Sequence, residues 1–224
     1  MSHFTFEKFL PLFRVARHTA TAMLLFIPAQ LAVFVLSPPP DSIRGFFALY
    51  EVHPLLGLLS LDFLYLFSNL FLVVIYLAIF VMLYTEKPVA ASLGLATGLV
   101  GVACYYPSNP AFEMLTLSKL YAQALPGQEL VYLAAGESLM AGYTGTSFNA
   151  YYVLSGLCLL LYARGLLQSS GFRKSLGAWG LASGILMIVP SSAGVIGMLF
   201  SIASLIPWMM FVWLLRIEFG KSLQ

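Results

Sequence analysis

The run Phe63–Tyr105, FLYLFSNLFLVVIYLAIFVMLYTEKPVAASLGLATGLVGVACY, decides the fold. It contains two apolar windows, Phe63–Tyr84 and Val89–Tyr105, parted only by Thr85, Glu86, Lys87 and Pro88. A helix that crosses the hydrocarbon core of a bilayer needs roughly 20 mostly apolar residues. These windows therefore predict a hairpin of two spans. Working outward, Thr19–Leu36, Tyr143–Tyr162, Leu176–Val189 and Val195–Leu215 read the same way, Leu176–Val189 being the shortest. The expectation is an all-α, polytopic membrane protein: six transmembrane helices forming a single bundle over residues 1–224, multi-pass in the cytoplasmic (inner) cell membrane.

Composition agrees, because 60% hydrophobic residues, 9% charged residues and a mean hydropathy of +0.91 leave too little polar surface for a soluble domain. A net charge of +2 with no run of like charges excludes nucleic acid as a partner. The lipid bilayer is the expected partner, with a homo-oligomer or another membrane protein as the further candidates. Cys104 and Cys158 fall inside predicted spans and read as small packing residues rather than a disulfide framework. Near the amino terminus, Lys8, Arg14 and Arg17 precede an apolar run that ends in VFVLSPPP without a small-x-small cleavage site. That pattern predicts a retained signal anchor, with the mature chain beginning near Met1.

Orientation follows from the basic residues between spans. With the amino terminus inside, Lys8, Arg14, Arg17, Lys87, Arg164, Arg173, Lys174, Arg216 and Lys221 are cytoplasmic, nine of the eleven Lys and Arg residues. Only Arg44 and Lys119 are left outside, so both termini are expected in the cytoplasm. The outer face carries the long connections. The first, SPPPDSIRGFFALYEVHP, has an aromatic stretch that could dip into the interface, and the second, 106–142, shows helical signals. Asn109 and Pro110 start one helix, Pro126 and Gly127 break it, and a second runs from Gln128 to Met140. This outer interfacial loop is expected to lie over the membrane surface as a lid.

Close helix approach in lipid depends on small residues. Gly94 and Gly98 form one GxxxG and Gly180 and Gly184 another, within the similar strings GLATG and GLASG. They are expected at helix contacts, inside the chain or at a homodimer face, and the likeness of the strings raises an internal parallel repeat.

Polar residues near the spans mark the candidate site. Asp62 lies about 33 Å from Tyr84 along the helix, at the outer boundary, where an acid in a first turn suits the helix dipole. Asn69 is two turns deeper on the same face. Gln30 sits mid-span beside Pro28, and Asn149 enters from the outer end of the fourth span. With Glu137 and His53 these residues are the candidate ligand-binding set, a polar pocket in the outer half of the bundle. No cofactor and no metal is expected. HExxH, GxSxG and GxxxxGK[ST] are all absent, and the spacing of Glu51, His53 and Asp62 matches no zinc motif.

The carboxy-terminal stretches YYVLSGLCLLLYARGLLQSSGFRKSLGAWGLASGILMI (151–188) and WMMFVWLLRIEF (208–219) resemble a family of uncharacterised bacterial integral membrane proteins of about six helices, a domain of unknown function. The resemblance lies in a leucine-rich helix, a short cytoplasmic turn, a Gly-rich helix introduced by LGxxG, and a last helix with Trp near its end. Ser169, Ser170, Gly171 and Phe172 stand where that family is expected to carry a proline. The resemblance implies a six-helix membrane fold and supplies no functional residue. The expected function is an accessory or small-solute- or lipid-binding role, transport-related, through the outer pocket; the alternative is a membrane-embedded enzyme using outer-face acids such as Asp62 and Glu137.

Overall fold

The computed structural model describes residues 7–223; Met1 and His3 lie outside the described residues. Among these, ten α-helices and no strand are found. They are α1 (Leu10–Leu36), α2 (Ile43–Val52), α3 (Pro54–Leu59), α4 (Phe63–Leu83), α5 (Pro88–Tyr105), α6 (Ala111–Ala122), α7 (Glu129–Tyr143), α8 (Thr146–Gln168), α9 (Lys174–Met187) and α10 (Gly194–Lys221). Among the described residues five helical stretches are long and apolar enough to cross a membrane: Leu10–Leu36, Phe63–Leu83, Pro88–Ala122, Glu129–Gln168 and Gly194–Lys221. That is the pattern of a multi-pass membrane protein. The α9 helix, at 14 residues, falls short of that length.

The long helices pack as a closed ring. In order around it, α1 contacts α4, α4 contacts α5, α5 contacts α8, α8 contacts α9, α9 contacts α10, and α10 returns to α1. The most extensive of these contacts are α8 with α5 and α8 with α9, and glycines explain both. A Cβ on Gly94 would stand 2.6 Å from the Tyr162 ring, and one on Gly98 would stand 2.7 Å from Cys158 Sγ and from the Tyr76 ring. On α9, a Cβ on Gly184 would meet the Gly156 carbonyl oxygen of α8 at 3.0 Å, and one on Gly180 would meet Phe211 of α10 at 2.9 Å. Backbones approach this closely only where side chains are missing. Both GxxxG faces are consumed inside the chain, so neither offers a close-approach surface to a second copy.

One end of the ring holds Arg17, Lys87, Arg164, Arg173, Lys174, Arg216 and Lys221, together with an apolar plug of Phe13, Ala16, Ala20, Tyr162, Phe211, Leu215 and Phe219, each fully buried. Glu218, nearly buried there, pairs with Lys221 at 2.8 Å and with Arg173 at 3.4 Å, tying the α8–α9 turn to α10. The opposite end is capped by α2, α3, α6 and α7, which bury a second, smaller core of Ile43, Phe46, Phe47, Tyr50, Leu61, Ala111 and Met114. The aromatic stretch expected to dip into the interface is thus the inner face of α2: Phe46, Phe47 and Tyr50 pack against α6 and α7, and the Tyr50 hydroxyl donates to the Ala111 carbonyl at 2.8 Å. The first connection, whose helices the proline run masks, contains α2 and α3.

Candidate functional site

A cavity of about 330 Å³ occupies the half of the ring next to the cap, within the size range of small-molecule sites. The α1 wall runs from Phe34 to Met23, the α4 wall from Asp62 to Tyr76, and the α10 wall from Ser201 to Trp208. Tyr105, Tyr143, Thr144, Phe148, Tyr151, Tyr152, Met187 and Ser191 complete it. No lining residue lies nearer the basic end than Met23, Tyr76 and Trp208, so the apolar plug closes that side. Of the lining residues, Thr144 at the cap end is exposed and Ser191 half-buried, and Leu31 of α1 and Ile202 of α10 are exposed as well, so the cavity is open at the cap end and along the α1 and α10 walls.

Asp62 is positioned by an unusual turn. Its φ of 60° and ψ of 31° make it left-handed, the sole non-glycine residue with positive φ among the described residues. Only Gly, Asn and Asp adopt that region readily. Although Asp62 is the N-cap of α4, its side chain makes no capping bond. The capping is done from α1: the Leu64 N–H donates to Gln30 Oε1 at 3.3 Å, while Gln30 Nε2 donates to the Leu59 carbonyl at 2.7 Å. From the other side Asn109 Nδ2 donates to the Leu61 carbonyl at 2.7 Å, and its Oδ1 accepts from the Ala111 N–H at 3.1 Å. With the turn held by Gln30 and Asn109, the Asp62 carboxylate is left to face the cavity, where the Tyr143 hydroxyl donates to its Oδ2. The hydroxyls of Tyr65, Tyr105 and Tyr151 lie within its electrostatic reach. Desolvation pushes the Asp62 carboxyl up to about 6, with the Tyr143 hydrogen bond offsetting part of the rise.

Asn69 lines the same cavity and is 1% exposed. Its Nδ2 donates to the Tyr65 carbonyl at 2.9 Å, which fixes the amide's orientation and leaves Oδ1 buried without a hydrogen-bond donor. Asp62 and Asn69 are therefore brought together; the other candidates are not. Gln30 is fully buried at the α4 cap, outside the cavity, because the amide cluster of the Leu59–Leu64 turn outcompetes the bundle interior for its side chain. Asn149 bonds Ser192 beside the mouth without lining the cavity. Glu137 is exposed on α7, and His53, at the α2–α3 junction, is exposed as well. The Asp62 and Glu137 pair that an enzyme would need is not assembled. Among the described residues no group of three His, Cys, Asp or Glu side chains gathers as a metal site.

Residues 106–142, expected as a lid, contribute no lining residue; α6 and α7 pack on α2 and α3, and only the following Tyr143 and Thr144 reach the cavity. What sequence reasoning missed is the aromatic wall. Tyr105 and Tyr143, at the ends of α5 and α7, fit an interfacial belt by position alone, and Tyr151 and Tyr152, further into α8, carry no motif. No family model, curated protein or solved structure matches this chain.

Proposed function

We propose that the chain is a six-span protein of the cytoplasmic membrane, with both termini inside, that binds a small solute in a pocket reached from the outer face. In this reading α9 is the sixth span, its 14 residues extended by the turn residues that flank it, and the nine-to-two distribution of Lys and Arg sets the orientation. One observation carries the binding role: a cavity of about 330 Å³ that joins a half-buried carboxylate to an unpartnered amide oxygen inside a mostly apolar, aromatic wall. Apolar enclosure with a few convergent polar groups is the general form of a small-molecule site, and in a membrane protein an ionisable residue turned inward marks a solute pathway before it marks structure. The closed basic end fits uptake or sensing from the cap side.

The test is native mass spectrometry of gently extracted protein, comparing wild type with Ser204→Phe, which fills the cavity from α10. A small bound mass in the wild type, absent from a variant of unchanged melting temperature, supports the reading. Identical spectra with no bound mass in either would overturn it.

A further inference from the structure

The cavity has a one-sided charge inventory. Among its lining residues Asp62 is the lone carboxylate, and there is no Lys, Arg or His. Asp62 makes no ion pair among the described residues. An anionic solute would meet this half-buried carboxylate with nothing to offset it, and a neutral solute would leave its charge without a counter-charge. A cation supplies the missing partner.

Two further observations narrow the class. Asn69 Oδ1 is buried with no hydrogen-bond partner, so besides the serine, threonine and tyrosine hydroxyls of its wall the cavity offers a carboxylate and an amide oxygen, both suited to N–H. Five aromatic rings also line the cavity in one series. Tyr105 meets Tyr151 tilted by 57° at 5.0 Å between centroids, Tyr151 meets Tyr152 edge to face at 5.6 Å, and Tyr152 meets Phe148 at 5.0 Å and Phe148 meets Tyr143 at 6.0 Å, both tilted. This unbroken series of five rings begins and ends on residues next to Asp62: the Tyr105 hydroxyl is 3.5 Å from its carbonyl, and the Tyr143 hydroxyl bonds its carboxylate. Ring faces attract a cation within about 6 Å of the centroid, most strongly where water is excluded.

We propose, building on the binding reading above, that the solute is a protonated organic amine whose ammonium pairs with Asp62 while its apolar part lies among Tyr151, Tyr152 and Phe148. Asn69, two turns deeper, takes a second donor of the same molecule. An aminophospholipid headgroup carries the same ammonium, but its phosphate would find no basic residue in this cavity. The occupant is therefore a free amine.

The experiment measures binding of benzylammonium and of benzyl alcohol, close in size and differing in charge, to the full chain in detergent near neutral pH, read by thermal shift and by tyrosine and tryptophan fluorescence. The wild type should hold benzylammonium about tenfold or more tighter than benzyl alcohol, and Asp62→Asn should erase that preference. Asn keeps the left-handed turn available, and Tyr151→Leu provides a second variant that weakens the amine without touching the carboxylate. Equal affinity for amine and alcohol, or an undiminished preference in Asp62→Asn, overturns the amine assignment and leaves the pocket reading standing. If neither probe binds, the pocket reading itself falls. Ethanolamine should compete with benzylammonium better than phosphoethanolamine does; the reverse order would overturn the free-amine assignment in favour of a lipid headgroup.

Discussion

Asp62 sits one residue before α4, in a backbone conformation that few residue types tolerate, with a carboxyl raised to about 6. A carboxyl whose folded value lies above its unfolded value of about 4 binds its proton more tightly in the native state. Its contribution to stability is therefore greatest below pH 4 and declines as pH rises through about 6. The melting temperature of wild type relative to Asp62→Asn should fall across that window and stay level above it. A difference that is flat with pH would mean that the carboxylate is well hydrated. The same titration has an opposite effect on an amine, since only the ionised carboxylate can pair with it: affinity should rise between pH 5 and pH 7, as isothermal titration would show. Asn69 was legible because depth and face follow from helix geometry alone, seven residues from Asp62. Gln30 was not, since its partners Leu59 and Leu64 are 29 and 34 residues away in sequence and join it only through the α1–α4 contact. Glu137 and His53 were misplaced because a polar residue in a connection has no depth that hydropathy can report.

The helices themselves were the more readable part. Apolar length located α1, α4, α5, α8 and α10; Pro126 and Gly127 lie between α6 and α7, Gly127 taking a φ of 90°. The proline run ahead of α2 hid its helical character, because a loop signal and a helix start share the same residues. Two predictions concern element contacts. Gly98→Leu and Gly184→Leu should each lower the melting temperature, by an amount equivalent to about 1–3 kcal/mol for an overpacked contact. Gly98 should be the more sensitive, because a Cβ there would stand 2.7 Å from Cys158 Sγ and the Tyr76 ring, both buried, whereas the nearest atoms to one on Gly184 stand at 3.0 Å. Unchanged melting in both would show that α8 has slack on both sides. Gln30→Leu should cost about 1–3 kcal/mol by orphaning the Leu64 N–H and the Leu59 carbonyl, and it should blunt amine affinity as well, since the Asp62 turn loses one of its two supports. A loss of stability with affinity intact would assign Gln30 to the fold alone.

Taken together, the six-helix ring and its cap set up a map that labelling can check. In a chain cleared of Cys104 and Cys158, cysteines at Ser42 and Gln128 should react with an impermeant maleimide in intact cells, and one at Ser170 should react only after permeabilisation. All three positions are exposed, so a reversed pattern would reverse the proposed orientation. Ring order was beyond the sequence, because the similar apolar content of every span says nothing of which neighbour it takes. The glycines of α5 and α9 pointed to close contacts without naming α8 as their common partner.

Closure of the ring by α10 against α1 bears on how the protein is made. Helices emerge from the ribosome in order, and until the last arrives, Asp62 and Asn69 face a gap that lipid would fill. A polar pair turned to acyl chains is costly, so the growing intermediate should be retained by the insertion machinery or shielded by an insertion chaperone until residues 194–221 emerge. Chains stopped before Gly194 should be rapidly degraded, and pairing Asp62→Leu with Asn69→Leu should lengthen their lifetime in a pulse-chase experiment.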